Sequence, residues 1–282
     1  MALQTASLLP SAPAPAFSRS SPCLFQAAVP PSTLALYKTL SSLTTLIPPT
    51  CTNTVRRHSP GTSNVIGNDY MTFERFLETI PTGEARRHDL YWAFSSIPDA
   101  NTGAANTNTG AANTNTAGQE PLHAFFSSTE TLLNLPPASM TAWVGTSHTE
   151  PLHYDNSDNL HLMVQGQKRW LLFPPNSSLD YPSIVAAEPK SDQPYTPDPF
   201  TSPKSLDSLT PAIDVTLNPG DLLYIPAGWS HSVISQDETP FNFSVNKFYD
   251  TSLLKCLMHG SFWMVARNRL YRYKKAREGW AN

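Results

Sequence analysis

The chain has 282 residues, 19 Lys and Arg against 22 Asp and Glu, a formal net charge of −3, 15% charged residues and 27 prolines. The length suits one large domain with appendages, or two small domains, and is enough to bury a core. The near-neutral charge excludes a global electrostatic pull on nucleic acid, and the three cysteines, Cys23, Cys51 and Cys256, lie too far apart for a cysteine zinc site or a disulfide scaffold.

Residues 1–68 contain none of the acidic residues and are rich in Ser, Thr, Ala and Pro. This composition predicts a disordered tail or an organelle transit peptide for a plastid or mitochondrion; without such a leader, cytoplasm or nucleus is expected. No apolar run reaches the roughly 20 residues of a membrane-spanning helix, so no membrane partner is expected. The longest candidate, 253-LLKCLMHGSFWMVA-266, is interrupted by Lys255 and His259.

The folded part is expected to start at Asp69. Asp69 reads as a simple N-cap before 70-YMTFERFLETI-80, where Phe73, Phe76, Leu77 and Ile80 recur at helical spacing. Thr72 is less favoured, because Arg75 rather than Glu or Gln stands three residues on. The aromatic-rich 89-DLYWAFSSIP-98 follows as a strand candidate. Then come two copies of a small polar heptad, 103-GAANTNTGAANTNT-116, which read as a low-complexity surface loop over 100–118.

From Ala142 the texture changes to short strand-like runs between Pro, Gly and Asn turns. The runs are 141-TAWVG-145, 159-NLHLMV-164, 168-KRWLLF-173, 213-IDVTL-217, 221-DLLYI-225, 231-HSVIS-235 and 241-FNFSVNKFYD-250. Such spacing predicts a mainly β sandwich or barrel over 69–250. The Pro/Ser/Asp-rich stretch 174–211 reads as an insert. Residues 251–282 read as a helical segment with a basic end, 266-ARNRLYRYKKAR-277, and Leu253, Leu257 and Phe262 suit a helix contact between two copies.

The chemistry lies in 150-EPLHYDNSDNLHLMVQGQKRWLLFPP-175. In a strand, residues two apart point to one face, so His153 and Asp155 project together, with Tyr154 opposite. An imidazole and a carboxylate on one face are two ligands for a metal of the two-histidine, one-carboxylate type. His161 and His231 could complete the set. His231 is the better choice: in 218-NPGDLLYIPAGWSH-231 a turn feeds an apolar strand, and a second break delivers Trp229 and His231 at the mouth of the sheet. A bare His-x-Asp is common by chance; followed by the second block it is far more specific.

The blocks HYDNSDN, GQKRWLLFPP, NPGDLLYIPAGWSHSV and FNFSVNKFYD resemble successive blocks of the Jumonji-C, cupin-like 2-oxoglutarate dioxygenases, most closely their small hydroxylase branch. The resemblance spans 69–250, with its strongest motifs in 143–250. It implies a double-stranded β-helix (jelly-roll) core, flanking helices and often a C-terminal dimerisation element. It implies Fe(II) held by His153, Asp155 and His231, with 2-oxoglutarate and O2 as co-substrates. Lys168 matches the cation that grips the distal carboxylate of 2-oxoglutarate. Asn159, Asn246 and Tyr91 match polar residues that line the same pocket. Trp229 reads as a wall of the iron site or simply as core.

The implied activity is hydroxylation of a partner protein's side chain, yielding succinate and CO2. A tRNA-modifying branch shares the blocks and would use the basic C-terminal end on RNA; histone demethylation fits less well, since no reader domain or zinc cluster accompanies the core. The third alternative is a non-catalytic binding protein. One position departs from the pattern. Relatives carry Thr or Ser three residues before the first histidine, where Glu150 stands here. A carboxylate there would repel the co-substrate unless it turns away and Thr149 takes over.

Overall fold

The computed structural model describes residues 3–6, 19–58, 65–97, 120–135, 140–175, 213–236 and 240–258, and positions 262, 263, 265, 266, 270 and 273. In chain order the strands are β1 (Gln4–Ala6), β2 (Cys23–Phe25), β3 (Thr52–His58), β4 (Val65–Thr72), β5 (Leu90–Ile97), β6 (Met140–Gly145), β7 (His148–Tyr154), β8 (Ser157–Gln165), β9 (Lys168–Phe173), β10 (Ile213–Leu217), β11 (Leu222–Ile225), β12 (Ser230–Ser235) and β13 (Asn242–Asp250). The helices are α1 (Pro31–Leu34), α2 (Leu40–Leu43), α3 (Phe73–Thr79), α4 (Glu84–Arg87), α5 (Glu120–Leu133) and α6 (Leu253–Met258).

The strands form a nine-stranded sheet, ordered β1-β2-β11-β8-β13-β6-β5-β3-β4, and a four-stranded sheet, ordered β10-β9-β12-β7. From β7 to β13 the chain passes from one sheet to the other at almost every connection; only β9 and β10 stay in the same sheet. This is a jelly-roll core with flanking helices, and the expected mainly β class is the observed one.

Strand alternation divides each strand between two environments. On β8, Leu160, Leu162 and Val164 join the large apolar cluster with Phe73, Phe76, Trp92, Leu122 and Phe126. Met163, one residue out of phase, belongs to a second cluster with Trp170, Leu172, Leu223, Ile225, Trp229 and Val233 from both sheets. The first cluster seats the helices on the outside of the large sheet. The second fills the space between the sheets, where the functional side chains are also found.

The expected disorder of 1–68 is not what residues 19–58 show. Cys23, Phe25, Tyr37, Leu43, Leu46, Ile47, Cys51 and Val55 are buried in the large cluster. β2 extends the sheet beside β11, and β3 pairs with β4 and β5. The Asn218–Asp221 turn is tied to this segment: Ala27 N–H donates to Asp221 Oδ1 at 3.0 Å, and Val29 N–H donates to the Gly220 carbonyl at 3.3 Å. The cause is physical. A segment without acidic residues can still place an apolar side chain every few positions, and burial depends on that rather than on charge.

The first helix also begins later than Asp69. Residues 65–72 are strand β4, and Thr72 caps α3 by accepting from Arg75 N–H at 3.2 Å. Asp69 is engaged instead by the Arg57 guanidinium from the neighbouring strand. An N-cap needs only its own oxygen, not the reciprocal Glu. The three cysteines are buried thiols outside any disulfide. The repeat loop 100–118, nearly all of the insert 174–211 and the basic residues of 267–277 lie outside the described residues. No helix among the described residues is long and apolar enough to cross a membrane. Leu253, Leu254 and Leu257 are exposed, whereas Phe262 packs against Ala227, Cys256 and Val265, which removes it from the expected contact face.

α5 is anchored by a buried ion pair. Lys247 Nζ on β13 lies 2.6 Å from Glu130 Oε1, and the Tyr249 hydroxyl donates to the same oxygen at 2.8 Å. Lys247 is fully buried and also lies over the Phe126 ring. Glu130→Ala strands that ammonium in apolar surroundings and is expected to lower stability by roughly 3–5 kcal/mol, read from the urea midpoint. An unchanged midpoint would contradict the pairing.

Candidate metal centre and anion pocket

β7 and β12 are neighbours in the small sheet, with His231 directly opposite His153. Their rings lie 4.2 Å apart. Asp155 follows β7 by one residue and is drawn toward β12 by a backbone bond: Gly228 N–H donates to the Asp155 carbonyl at 2.9 Å. Gly228 takes φ +84°, a conformation open to glycine at no steric cost, in the turn that precedes His231. One ligand atom each from His153, Asp155 and His231 can be chosen so that all lie within 4.8 Å of one another. Asp155 Oδ2 is 3.7 Å from His231 Nε2.

His231 is set up as a ligand by its own backbone. Nδ1 lies 3.0 Å from the Trp229 carbonyl, which can only accept, so Nδ1 carries the proton and Nε2 presents its lone pair. Burial holds the ring well below the usual histidine range, so it is neutral near pH 7. Burial raises Asp155, while His153 and the Asn159 amide favour its charged form. Two histidines and one carboxylate on one side of a point suit a divalent transition ion. His161, the rejected alternative, is not in this group. It is buried against Trp170, with Nε2 unpartnered among the described residues.

Lys168 opens β9 and is 2% exposed. Its Nζ donates to the Tyr91 hydroxyl at 3.0 Å and to Ser244 Oγ at 2.7 Å, both neutral acceptors. No carboxylate lies within ion-pair distance of it among the described residues. Burial pushes its pKa down to about 7, with the Glu150 charge pulling the other way. A buried ammonium without a counter-charge is costly and forms a ready seat for an anion. Tyr91 is held flat between Trp143 and His148, with ring distances of 5.6 and 3.8 Å.

Asn159 and Asn246 meet across β8 and β13: Asn246 Nδ2 donates to Asn159 Oδ1 at 3.2 Å, and Trp143 Nε1 donates to Asn246 Oδ1. That network uses both ends of the Asn246 amide and leaves the Asn159 Nδ2 donors free for Asp155. All four pocket residues expected from the sequence, Lys168, Tyr91, Asn159 and Asn246, are thus buried in this inter-sheet region. Trp229 lies in the inter-sheet core, with Nε1 donating to the Ser20 carbonyl at 3.1 Å.

Glu150 does turn away. Its Oε1 accepts from Arg56 Nη1 at 3.2 Å and its Oε2 from His148 Nε2 at 2.9 Å. Burial alone would raise this carboxyl, but His148 and Arg56 together hold it well below the usual range. Ser244, rather than the expected Thr149, is the hydroxyl that accepts from Lys168 beside Tyr91. Ser244, Arg56 and His148 were not identified from the sequence. Ser244 sits two residues before Asn246 and so shares its face of β13, which is a readable signal; Arg56 lay in the supposed tail.

A jelly roll with a His/Asp/His group on neighbouring strands of one sheet is the architecture of the cupin class of protein. The chain belongs to the cupin-like domain family, of Jumonji-C type, whose family model matches residues 33–254. It is 32% identical over 107 residues to "Lysine-specific demethylase JMJ31" of Arabidopsis thaliana, covering 36% of this chain and 20% of that protein. It is 28% identical over 130 residues to "Bifunctional lysine-specific demethylase and histidyl-hydroxylase NO66" of Drosophila persimilis, covering 45% and 16%. It is 36% identical over 97 residues to human "tRNA wybutosine-synthesizing protein 5", covering 34% and 29%. The matched segment therefore spans less than a third of each of these relatives.

His153→Ala and His231→Ala are each expected to lower affinity for Mn(II) or Fe(II) by about a hundredfold or more, while His161→Phe leaves it within about twofold. Metal titration followed by calorimetry reads both; loss of affinity in His161→Phe alone would overturn this ligand choice.

Proposed function

We propose that the protein is a dioxygenase that uses Fe(II), O2 and 2-oxoglutarate to hydroxylate a side chain of a partner protein, releasing succinate and CO2. The observation that carries this reading is the buried Lys168 ammonium, bonded among the described residues to the hydroxyls of Tyr91 and Ser244, in the same inter-sheet space as His153, Asp155 and His231. A metal site alone fits many chemistries. A metal site with a built anion seat fits a chelating dicarboxylate that reaches from one to the other.

Iron and the co-substrate, when bound, supply the oxidising chemistry. The residues do the rest. His153, Asp155 and His231 hold the ion from one side and leave the other open. The Trp229 carbonyl fixes the His231 tautomer. Asn159 favours the charged form of Asp155. Lys168, Tyr91 and Ser244 take the distal carboxylate, which supplies the missing counter-charge. Trp170, Met163 and Leu223 keep water out of the inter-sheet space. No side chain has to act as a general base.

A protein substrate is favoured because two similar relatives are named for action on lysine or histidyl side chains. RNA is the second reading, favoured by the similarity to a tRNA-modifying protein. Retention of all three ligands, together with Glu150 turned onto Arg56 and His148, supports catalysis over a purely binding role.

The full chain with Fe(II), O2 and 2-oxoglutarate should form succinate slowly even without a second substrate, and His153→Ala should not. Absence of both succinate formation and 2-oxoglutarate binding would sink the proposal. The affinity should also depend on pH. The protonated amine binds the carboxylate, so affinity is highest below about 7 and falls as pH rises through the Lys168 value, by up to about tenfold per unit. Calorimetry across that range checks this; a flat profile would contradict Lys168 as the seat. Gly145→Ala places a Cβ 2.7 Å from Tyr91 Cδ2. It should displace that ring and weaken 2-oxoglutarate by roughly tenfold with metal affinity unchanged.

A further inference from the structure

Among the described residues, Glu150 is the carboxylate whose charge opposes the effect of burial on Lys168. A continuous series of contacts joins them. Glu150 bonds His148, the His148 ring stacks on Tyr91 at 3.8 Å, and the Tyr91 hydroxyl bonds Lys168 Nζ. A carboxylate joined to an ammonium through so few contacts competes for it unless it is held elsewhere. Both Glu150 oxygens are held elsewhere, one by Arg56 and one by His148.

The two holders differ. His148 is buried, which lowers its pKa, and it holds Glu150 mainly through a hydrogen bond. Arg56 brings a permanent positive charge, the largest charge–charge effect on the carboxylate. It comes from β3, where it stands opposite Tyr91 in the register of the large sheet, while Glu150 comes from β7 of the small sheet. The ion pair therefore bridges the two sheets beside the pocket. The Arg56 side chain is 44% exposed, so the pair adds little to global stability. Its effect is positional.

We propose that Arg56 is a positioning residue that holds the Glu150 carboxylate away from Lys168 and so keeps the anion pocket open; without Arg56, Glu150 would occupy Lys168 and the protein would block its own pocket. This inference rests on the reading of Lys168 as a 2-oxoglutarate seat, but its internal half, the choice of partner by Glu150, does not.

The test compares the full-length wild type, Arg56→Ala, Glu150→Gln and the double variant by two readouts. The first is 2-oxoglutarate affinity by calorimetry with Mn(II) in place of Fe(II). Arg56→Ala should weaken it about tenfold or more, with Mn(II) affinity unchanged, and Glu150→Gln added to Arg56→Ala should restore it to within about threefold of wild type. A merely structural loss would not be rescued by removing a second charge. The second readout is the titration of the Lys168 ammonium by NMR, without co-substrate. Its midpoint should rise in Arg56→Ala and return in the double variant. If the wild type fails to bind 2-oxoglutarate, the dioxygenase reading falls, and the NMR series alone decides the positioning role. An unmoved Lys168 midpoint in Arg56→Ala, or a loss of affinity that persists in the double variant, overturns the proposal.

Discussion

A lysine ammonium at 2% exposure, bonded to two hydroxyls and facing no carboxylate within ion-pair distance among the described residues, is the constraint around which the site is arranged. Among the described residues, the buried Lys247 is paired with Glu130 and the buried Asp158 with Lys255. Lys168 has no such charged partner among them. Its surroundings are polar enough to keep it hydrogen-bonded and poor enough in negative charge to leave it demanding an anion. A stability argument alone would replace it with Met or Leu. Its retention in the core is intelligible as function.

The sheets divide the labour. The small sheet carries Lys168 on β9, His153 on β7 and His231 on β12, with Asp155 at the end of β7. The large sheet carries the partners that orient them: Tyr91, Trp143, Asn159, Ser244 and Asn246. The two groups meet because side chains alternate along each strand, so that one face of β8 and β13 joins the helices while the other closes the pocket. The N-terminal segment matters to this arrangement. It supplies Arg56, and it braces the turn that leads into β11.

Much of this was legible in the sequence. His153, Asp155 and His231 stand in strand-and-turn contexts that fix their direction, and Lys168 opens a run whose alternation is plain. Seven of the eight strands from Met140 to Asp250 emerge with bounds shifted by at most two residues, because turn residues punctuate them, whereas β7 has no run of its own beyond the His-x-Asp spacing. What was not legible depends on contacts distant in sequence. Arg56 and Glu150 are 94 residues apart. Residues 19–58 are hidden by composition, since an acid-poor, Pro-rich segment resembles a tail when its apolar positions have no evident partner. The capping of α3 by Thr72 is hidden because Arg75 stands where a reciprocal Glu would mark a capping box, although the hydroxyl alone suffices.

The claim at the centre is that metal and dicarboxylate meet in one pocket. Its most direct measurement is the visible absorption of the full chain with Fe(II) and 2-oxoglutarate under anaerobic conditions. A metal-to-ligand charge-transfer band that vanishes in His231→Ala and weakens in Lys168→Ala is the result expected here. A folded protein that binds iron but gives no band at saturating 2-oxoglutarate would contradict it.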